Sequence, residues 1–168
     1  MALWKPDTVP AEEPYVESFE PAEGKRTLFS IGNAVLRPVL RSRLGRRMGE
    51  FALLSFVGRR TGTRYEVPVS YHDLDGRGVV LTAGRWRLNF RGGADVDVTR
   101  GGRTERMRAA LAEDLDEVAT VYERVLASTG VKHAWQLGLR VSGDRMPTHD
   151  EIASVVDGRR GVVWIVPS

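Results

Sequence analysis

The stretch FALLSFVGRRTGTRYEVPVSYHDLDGRGVVLTAGRWRLNFRGG, residues 51–93, decides the fold and the first functional hypothesis. Two runs typical of β-strands flank a basic loop, Val57–Arg64, and a third strand leads to a short segment with Trp86 and Asn89. Glycine allows the tight, positive-φ backbone that brings amides close to a ligand, and arginine binds phosphate or carboxylate through two parallel hydrogen bonds. The loop therefore predicts an anion-binding site.

The runs on either side of this loop predict consecutive hairpins. Phe51–Val57 is almost continuously apolar and indicates a buried strand, whereas Thr63–Asp73 alternates and indicates a strand with one face towards the core. Pro68 cannot donate a hydrogen bond to a neighbouring strand, so it predicts a sheet edge or a break in pairing. A turn at Asp75–Gly78 then returns the chain as the strand Val79–Ala83.

The downstream half continues with hairpins and adds two helices. Asp114–Ser128 is predicted as a helix that Asp114 caps and Gly130 ends, and a second short helix opens at Thr148 and runs to about Asp157. The remaining predicted strands are Ala94–Arg100, Arg103–Ala112 and Val162–Val166, the first two joined at Gly101-Gly102. Successive hairpins exclude a doubly wound parallel sheet and favour an α+β, mainly β fold: a barrel of about six antiparallel strands with peripheral helices.

The upstream segments divide the chain at about residue 26. Residues 1–26 are rich in proline and acidic residues, and we expect an extended arm, with residues 27–168 as the single folded domain. Thr27–Arg47 has apolar residues at helical spacing and predicts an N-terminal helical segment, with a kink or two abutting helices near Arg37 because of Pro38. This basic amphipathic pattern leaves open a weak association of residues 27–48 with an anionic membrane surface.

Composition narrows the function classes. The 168 residues include no cysteine, which excludes disulfides and thiolate chemistry, and the net charge is +3. No run approaches the roughly 20 apolar residues of a membrane span, and the first 25 residues do not resemble a secretion signal, so we expect a cytoplasmic monomer or homodimer. His72, His133 and His149 lack ligand spacing and predict no metal site. Arginines without interleaved exposed aromatics disfavour nucleic acid, and a small molecule is the expected partner.

The order of motifs resembles the deazaflavin-dependent nitroreductases. The motifs are Gly58-Arg59-Arg60-Thr61-Gly62 after a strand, Val67-Pro68-Val69 within the next strand, and Trp86-Arg87-Leu88-Asn89-Phe90-Arg91-Gly92-Gly93 before a valine-alternating strand. The resemblance is good over Leu53–Val98 and loose over Phe29–Val166. Members of that family are actinobacterial oxidoreductases with a split β-barrel fold that use the deazaflavin coenzyme F-420. The resemblance implies the same fold and a hydride transfer to a small electron-poor acceptor such as a quinone, an enone or a nitro compound.

The resemblance also implies which residues hold the cofactor. Its basic pair binds phosphate, its valine-proline strand lines the slot for the ring, and the segment around the tryptophan shapes the rest. Ser70 and Tyr71, beside the slot, are the candidate catalytic proton donors. On this basis the cofactor-binding residues are Arg59, Arg60, Thr61, Gly62, Arg64, Val67, Pro68, Val69, Thr82, Ala83, Gly84, Arg85, Trp86 and Asn89.

Two departures from the family pattern leave the cofactor open. Arg64-Tyr65 stands where members often have a Pro-Arg pair, and Gly84-Arg85 replaces a longer lysine-containing loop before the tryptophan. Binding of the acidic polyglutamate tail of coenzyme F-420 is then weaker, which leaves FMN open as the cofactor. Two further functions stay open on the same fold, namely a haem-binding barrel and a non-catalytic cofactor carrier or sensor.

Overall fold

The computed structural model describes residues 13–19 and 35–168. Within these ranges the helices are α1 (residues 35–41), α2 (Leu115–Thr129) and α3 (His149–Val156), and 3-10 helices cover Arg43–Arg47, Arg85–Phe90 and Val131–Leu137. The strands are β1 (Val16–Ser18), β2 (Phe51–Val57), β3 (Arg64–Ser70), β4 (His72–Leu74), β5 (Arg77–Thr82), β6 (Ala94–Arg100), β7 (Arg103–Ala112), β8 (Leu139–Val141) and β9 (Gly161–Pro167).

Seven of these strands form one curled antiparallel sheet in the order β3-β2-β6-β7-β9-β5-β4, the sheet of a split β-barrel. The predicted mainly β, antiparallel fold is confirmed, with one more strand in the sheet than expected because the run Thr63–Asp73 divides into β3 and β4. Pro68 lies on the edge strand β3, as its missing N–H predicted. Curling brings β3 close to β5, and the opening of the barrel lies between them.

The inside of the curled sheet is an apolar core. Alternate residues of β2, namely Ala52, Leu54 and Phe56, point into it, because successive side chains of a strand face opposite sides. Phe90, from the 3-10 helix Arg85–Phe90, is fully buried there and meets the ring of Phe56 edge-on at 4.9 Å between centroids. This aromatic contact fixes the 3-10 helix at one end of the barrel.

A second core lies between the outer face of the sheet and helices α2 and α3. The apolar stripe of α2 packs here, with Tyr122 fully buried, although Leu115 at its start is exposed. The predicted caps are confirmed: the Asp114 carboxylate accepts a hydrogen bond from the Glu117 N–H at 2.8 Å, and Gly130 ends the helix at φ 91°. Helix α3 begins with a capping box in which Thr148 and Glu151 bond each other's backbone N–H.

The upstream segments differ in part from expectation. Within the predicted extended arm, β1 pairs with β8 in a small separate sheet. The helical conformation of α1 continues through Pro38, so two helices do not abut at Arg37; the break follows Arg41, where Ser42 caps the 3-10 helix Arg43–Arg47. The predicted residues of this segment before position 35 lie outside the described residues. No helix in the described ranges has the length and apolarity needed to cross a bilayer.

Candidate functional site

A cleft of about 1340 Å³ opens beside the gap between β3 and β5. Its floor includes Ser70 from the end of β3 and Thr82, Ala83 and Gly84 from the end of β5, four residues that were predicted from the sequence. Side chains from distant parts of the chain form the opposite wall. Part of the predicted site thus lies in this cleft.

A narrower extension of about 180 Å³ continues this cleft between the edge strand and Trp86. Val67, Pro68 and Val69 line it, and Ser70 and Thr82 belong to both spaces. The indole of Trp86 packs against Phe56, with 6.1 Å between ring centroids, and lies so close to Gly84 that a Cβ there would collide with it. Eight of the predicted residues therefore line two adjoining spaces, the cleft and the slot at its narrow end, whereas the predicted residues of the turn, Arg85 and Asn89 line neither.

The predicted anion-binding loop is a tight turn between β2 and β3, held mainly by the chain itself. Gly62, at φ 66°, lets the turn close, and the Gly62 N–H donates to the Gly58 carbonyl at 2.9 Å. The Arg59 N–H donates to Asn89 Oδ1 at 3.0 Å, and the Arg59 guanidinium donates to the Arg91 carbonyl. Thr61 Oγ1 lies 3.3 Å from the Tyr65 hydroxyl. Arg59 and Thr61 therefore stabilise the turn.

The other arginines of the predicted cofactor site, Arg60, Arg64 and Arg85, have different surroundings. Arg64 forms an ion pair with Asp97 on β6, at 3.2 Å between Nη2 and Oδ2. Arg60 is exposed and forms no ion pair or hydrogen bond with the described residues, and the same holds for Arg85 at the start of the 3-10 helix. Among the predicted arginines, Arg60 and Arg85 are the two whose charges the described part of the chain leaves available to a ligand.

Asn89 connects the turn with the slot. Its carbonyl oxygen accepts from the Arg59 N–H, and its amide Nδ2 donates to the Trp86 carbonyl at 2.8 Å. Both functional groups of the side chain are thus used within the protein, and its structural role is to hold the turn against the segment that carries Trp86. Arg87 has a similar role at the loop before it, because it donates to the carbonyls of Ala83 and Gly84, each at 3.0 Å.

The two candidate catalytic residues lie in different places. Ser70 lines the cleft, half-buried. Tyr71 points into the barrel interior: its hydroxyl packs against Gly78, and the Arg100 guanidinium covers its ring at 4.4 Å from the centroid. Burial is the main cause that raises the pKa of Tyr71. The described cleft does not include Tyr71, so its predicted part in proton transfer has no geometric support.

Sequence reasoning missed the opposite wall of the cleft. Arg160 is buried there and donates to the Leu137 carbonyl at 3.3 Å, to Ser18 Oγ at 2.9 Å and to the Phe19 carbonyl at 3.1 Å, which connects β1 with the end of the 3-10 helix Val131–Leu137. Gln136 and Leu137, from the 3-10 helix Val131–Leu137, reach both the cleft and its narrow extension. These residues are distant in sequence from residues 51–93, and no local motif marks them.

His72 on the short strand β4 was also missed as a cleft residue. It is half-buried and lines both the cleft and the narrow extension. Burial lowers the pKa of its imidazole, and the charge of Glu50, another cleft residue, acts in the opposite direction. The ring is therefore neutral at neutral pH, with one nitrogen as a donor and the other as an acceptor.

No protein-family model matches the sequence, and no curated protein matches it. Solved structures with a similar fold include the haem storage protein HutZ from Vibrio cholerae, at 13% identity and TM-score 0.44 over 75% of this chain and 87% of that chain. A pyridoxamine 5'-phosphate oxidase-related, FMN-binding protein from Nostoc punctiforme is 12% identical at TM-score 0.41, over 89% and 82% of the two chains. An FAD- and haem-binding protein from Mycobacterium smegmatis is 14% identical at TM-score 0.43, over 79% and 66%.

Proposed function

We propose that this protein is an oxidoreductase that holds a flavin-type cofactor, coenzyme F-420 or FMN, in the cleft and reduces a small electron-poor acceptor. The observation that carries the proposal is the continuity of the cleft. Val67–Ser70 of β3, Thr82 and Trp86 all line its narrow end. These residues are separated in sequence, and all of them were predicted as site residues.

The lining of this space mixes apolar and polar groups. Val67, Pro68, Val69 and Trp86 offer apolar contacts to the cofactor ring, and Ser70, Thr82 and Gln136 offer hydrogen bonds. Small-molecule sites usually measure about 300–1,000 Å³. The cleft, at about 1340 Å³, has room for a cofactor and for a second molecule beside it.

An anionic part of the cofactor needs cations near the slot. Arg60 and Arg85 are the candidates, because neither is engaged with the described residues, whereas Arg64 is paired with Asp97. The hydrogen bonds of Asn89 hold the turn of Arg60 to the segment of Trp86, which lines the slot. Guanidinium groups at these two positions offer a phosphate paired, charge-assisted hydrogen bonds.

A reduced flavin-type cofactor supplies a hydride when it is bound. The protein's own residues then have two tasks, which are to hold ring and acceptor in contact and to keep water out of the slot. Val67, Val69 and Trp86 exclude water from the ring end, and Ser70 places a hydroxyl at the boundary between the slot and the wide part of the cleft.

The proposal is tested by titrating the purified protein with oxidised F-420, FMN and haem, followed by absorbance-monitored turnover with quinones, enones and nitro compounds. Saturable binding of F-420 or FMN with oxidation of the reduced form by an acceptor is the expected result. Binding without turnover of any acceptor points to a carrier or sensor, and a Soret band with haem alone overturns the flavin assignment. Equal binding of all three, unaffected by substitutions in the cleft, contradicts the proposed site.

A further inference from the structure

We infer that His72 binds the oxygen of the acceptor that is reduced, an inference that rests on the proposed function and assigns the wide part of the cleft to a carbonyl or nitro compound. His72 lies on β4 at the place where the narrow slot widens into the cleft. If the cofactor ring lies in the slot and an acceptor stacks on it, the polar oxygen of the acceptor would lie next to the His72 imidazole.

The surroundings of His72 leave its ring nitrogens open to a ligand. Neither nitrogen forms a hydrogen bond with the part of the chain that the structure describes, although the side chain is half-buried. The other histidines are engaged: His133 Nδ1 lies 3.2 Å from the Thr129 carbonyl, and His149 contacts Asp116 and Glu123. An N–H of His72 that donates to a ligand oxygen would form a hydrogen bond that the described residues do not supply.

Few charged groups lie near the His72 imidazole, which we expect to donate a hydrogen bond in its neutral form. The ionisable residues that line the cleft, besides His72, are Glu50, His133 and Arg160. The two Nη atoms of Arg160 donate to Leu137, Ser18 and Phe19, and its Nε is buried without a hydrogen-bond partner among the described residues. A neutral imidazole can donate one hydrogen bond without the desolvation cost of a charge.

The reduction of a quinone such as menadione shows what this hydrogen bond does. The hydride adds to a carbon of the conjugated C=C bond, the electron pair of that bond moves towards the carbonyl oxygen, and water supplies the proton that neutralises the enolate. The His72 N–H donates to the oxygen on which the negative charge develops. The bond orients the acceptor in the ground state and stabilises that charge as it forms.

The test measures menadione binding to the full-length protein saturated with its oxidised cofactor, which cannot donate a hydride. His72→Leu removes the donor, His72→Gln keeps an N–H, and His149→Leu is the control outside the cleft. We expect the Kd for menadione to rise at least about fivefold in His72→Leu and to stay close to wild type in the other two. The Kd for the cofactor stays unchanged in His149→Leu and rises less than the Kd for menadione in His72→Leu, because His72 also lines the slot.

A second readout on the wild-type protein is the long-range ¹H–¹⁵N spectrum of the histidine rings. Menadione should shift the His72 nitrogens and leave those of His149 in place. An unchanged menadione Kd in His72→Leu, or an unshifted His72 ring, overturns the inference while cofactor binding persists. A cofactor Kd that rises in His72→Leu as much as the menadione Kd assigns the residue to the cofactor instead and also overturns the inference. Failure of the wild type to bind any flavin-type cofactor removes the proposed function itself.

Discussion

Asn89 is the residue on which the geometry of the arginine-containing turn depends. The resemblance placed it in the cofactor site, but its side chain is used inside the protein, between the Arg59 N–H and the Trp86 carbonyl. The turn that presents Arg60 and the segment that presents Trp86 are thereby joined through one amide. Asn89 therefore affects ligand binding indirectly, through the positions of Arg60 and Trp86.

Replacing Asn89 with alanine should destabilise the protein. The change removes two hydrogen bonds at a half-buried position and leaves the Arg59 N–H and the Trp86 carbonyl without their partners. We expect a loss of about 1–3 kcal/mol in the free energy of unfolding, measured by urea denaturation. Asn89→Asp, which keeps the acceptor and loses the donor, should lose less. Equal stability of all three proteins would contradict the structural role of Asn89.

Arg60 should matter for the cofactor and not for the fold. Its guanidinium is exposed and makes no bond to the described residues, so Arg60→Ala should leave the unfolding free energy unchanged. Loss of a charge-assisted contact of about 1.5–3 kcal/mol should weaken cofactor binding roughly tenfold or more in a fluorescence titration. The matched control is Arg64→Ala, whose side chain is paired with Asp97 and should change the affinity less. The same affinity in wild type and Arg60→Ala would remove Arg60 from the site.

The arginines also show what a sequence can and cannot predict at this scale. Residue types and spacing correctly predicted the tight turn at Gly62 and its place between two strands. They could not separate Arg60 from Arg64, because the ion pair of Arg64 depends on Asp97, 33 positions away on β6, which β2 separates from β3 in the sheet. Which charges a fold leaves available is a property of tertiary contacts.

At the scale of elements, the N-terminus of α3 makes stability depend on pH. Glu151 accepts from the Thr148 N–H at 2.8 Å and pairs with Arg145 at 2.6 Å, and the Arg145 bond is the main cause that lowers the pKa of Glu151 from 4.5 to about 2. A lowered pKa stabilises the folded state above the unfolded value, and that stabilisation disappears as the pH falls from about 4.5 towards 2.

Glu151→Gln should therefore remove part of this pH dependence. The amide can still accept a hydrogen bond from Thr148 but carries no charge for Arg145. We expect the free energy of unfolding to fall less steeply between pH 4.5 and 2 in the variant than in the wild type, measured by urea denaturation at several pH values. Asp150→Asn, at the preceding residue, is the control and should keep the wild-type slope. Parallel curves for Glu151→Gln and wild type would refute the coupling.

The elements themselves were predictable where a periodic pattern was long enough. The bounds of β6 and β7 agree with prediction, because their alternation is regular and Gly101-Gly102 marks the turn between them. The strands β1 and β8 have three residues each, too few for a period, and were not predicted. Their pairing joins residues more than 120 positions apart, as in Val16 with Val141, which local sequence does not encode.

At the scale of the whole molecule, the cleft is formed where several parts of the chain that are distant in sequence meet. The edge strand β3 and the end of β5 supply the wall that the motifs predicted, and the 3-10 helix Val131–Leu137 with Phe19 supplies the wall they did not. Arg160 holds this second wall in place through its bonds to Leu137, Ser18 and Phe19. We propose that a flavin-type cofactor binds between these two walls.

The most direct test is cofactor titration of Ser70→Trp, which places a large side chain at the junction of the slot and the cleft. Ser154→Trp, an exposed position on α3, is the matched control. Oxidised F-420 or FMN should bind wild type and Ser154→Trp with the same Kd, and binding to folded Ser70→Trp should be lost or at least about tenfold weaker. Equal affinity in all three proteins, or no saturable binding of either cofactor to the wild type, would contradict the account.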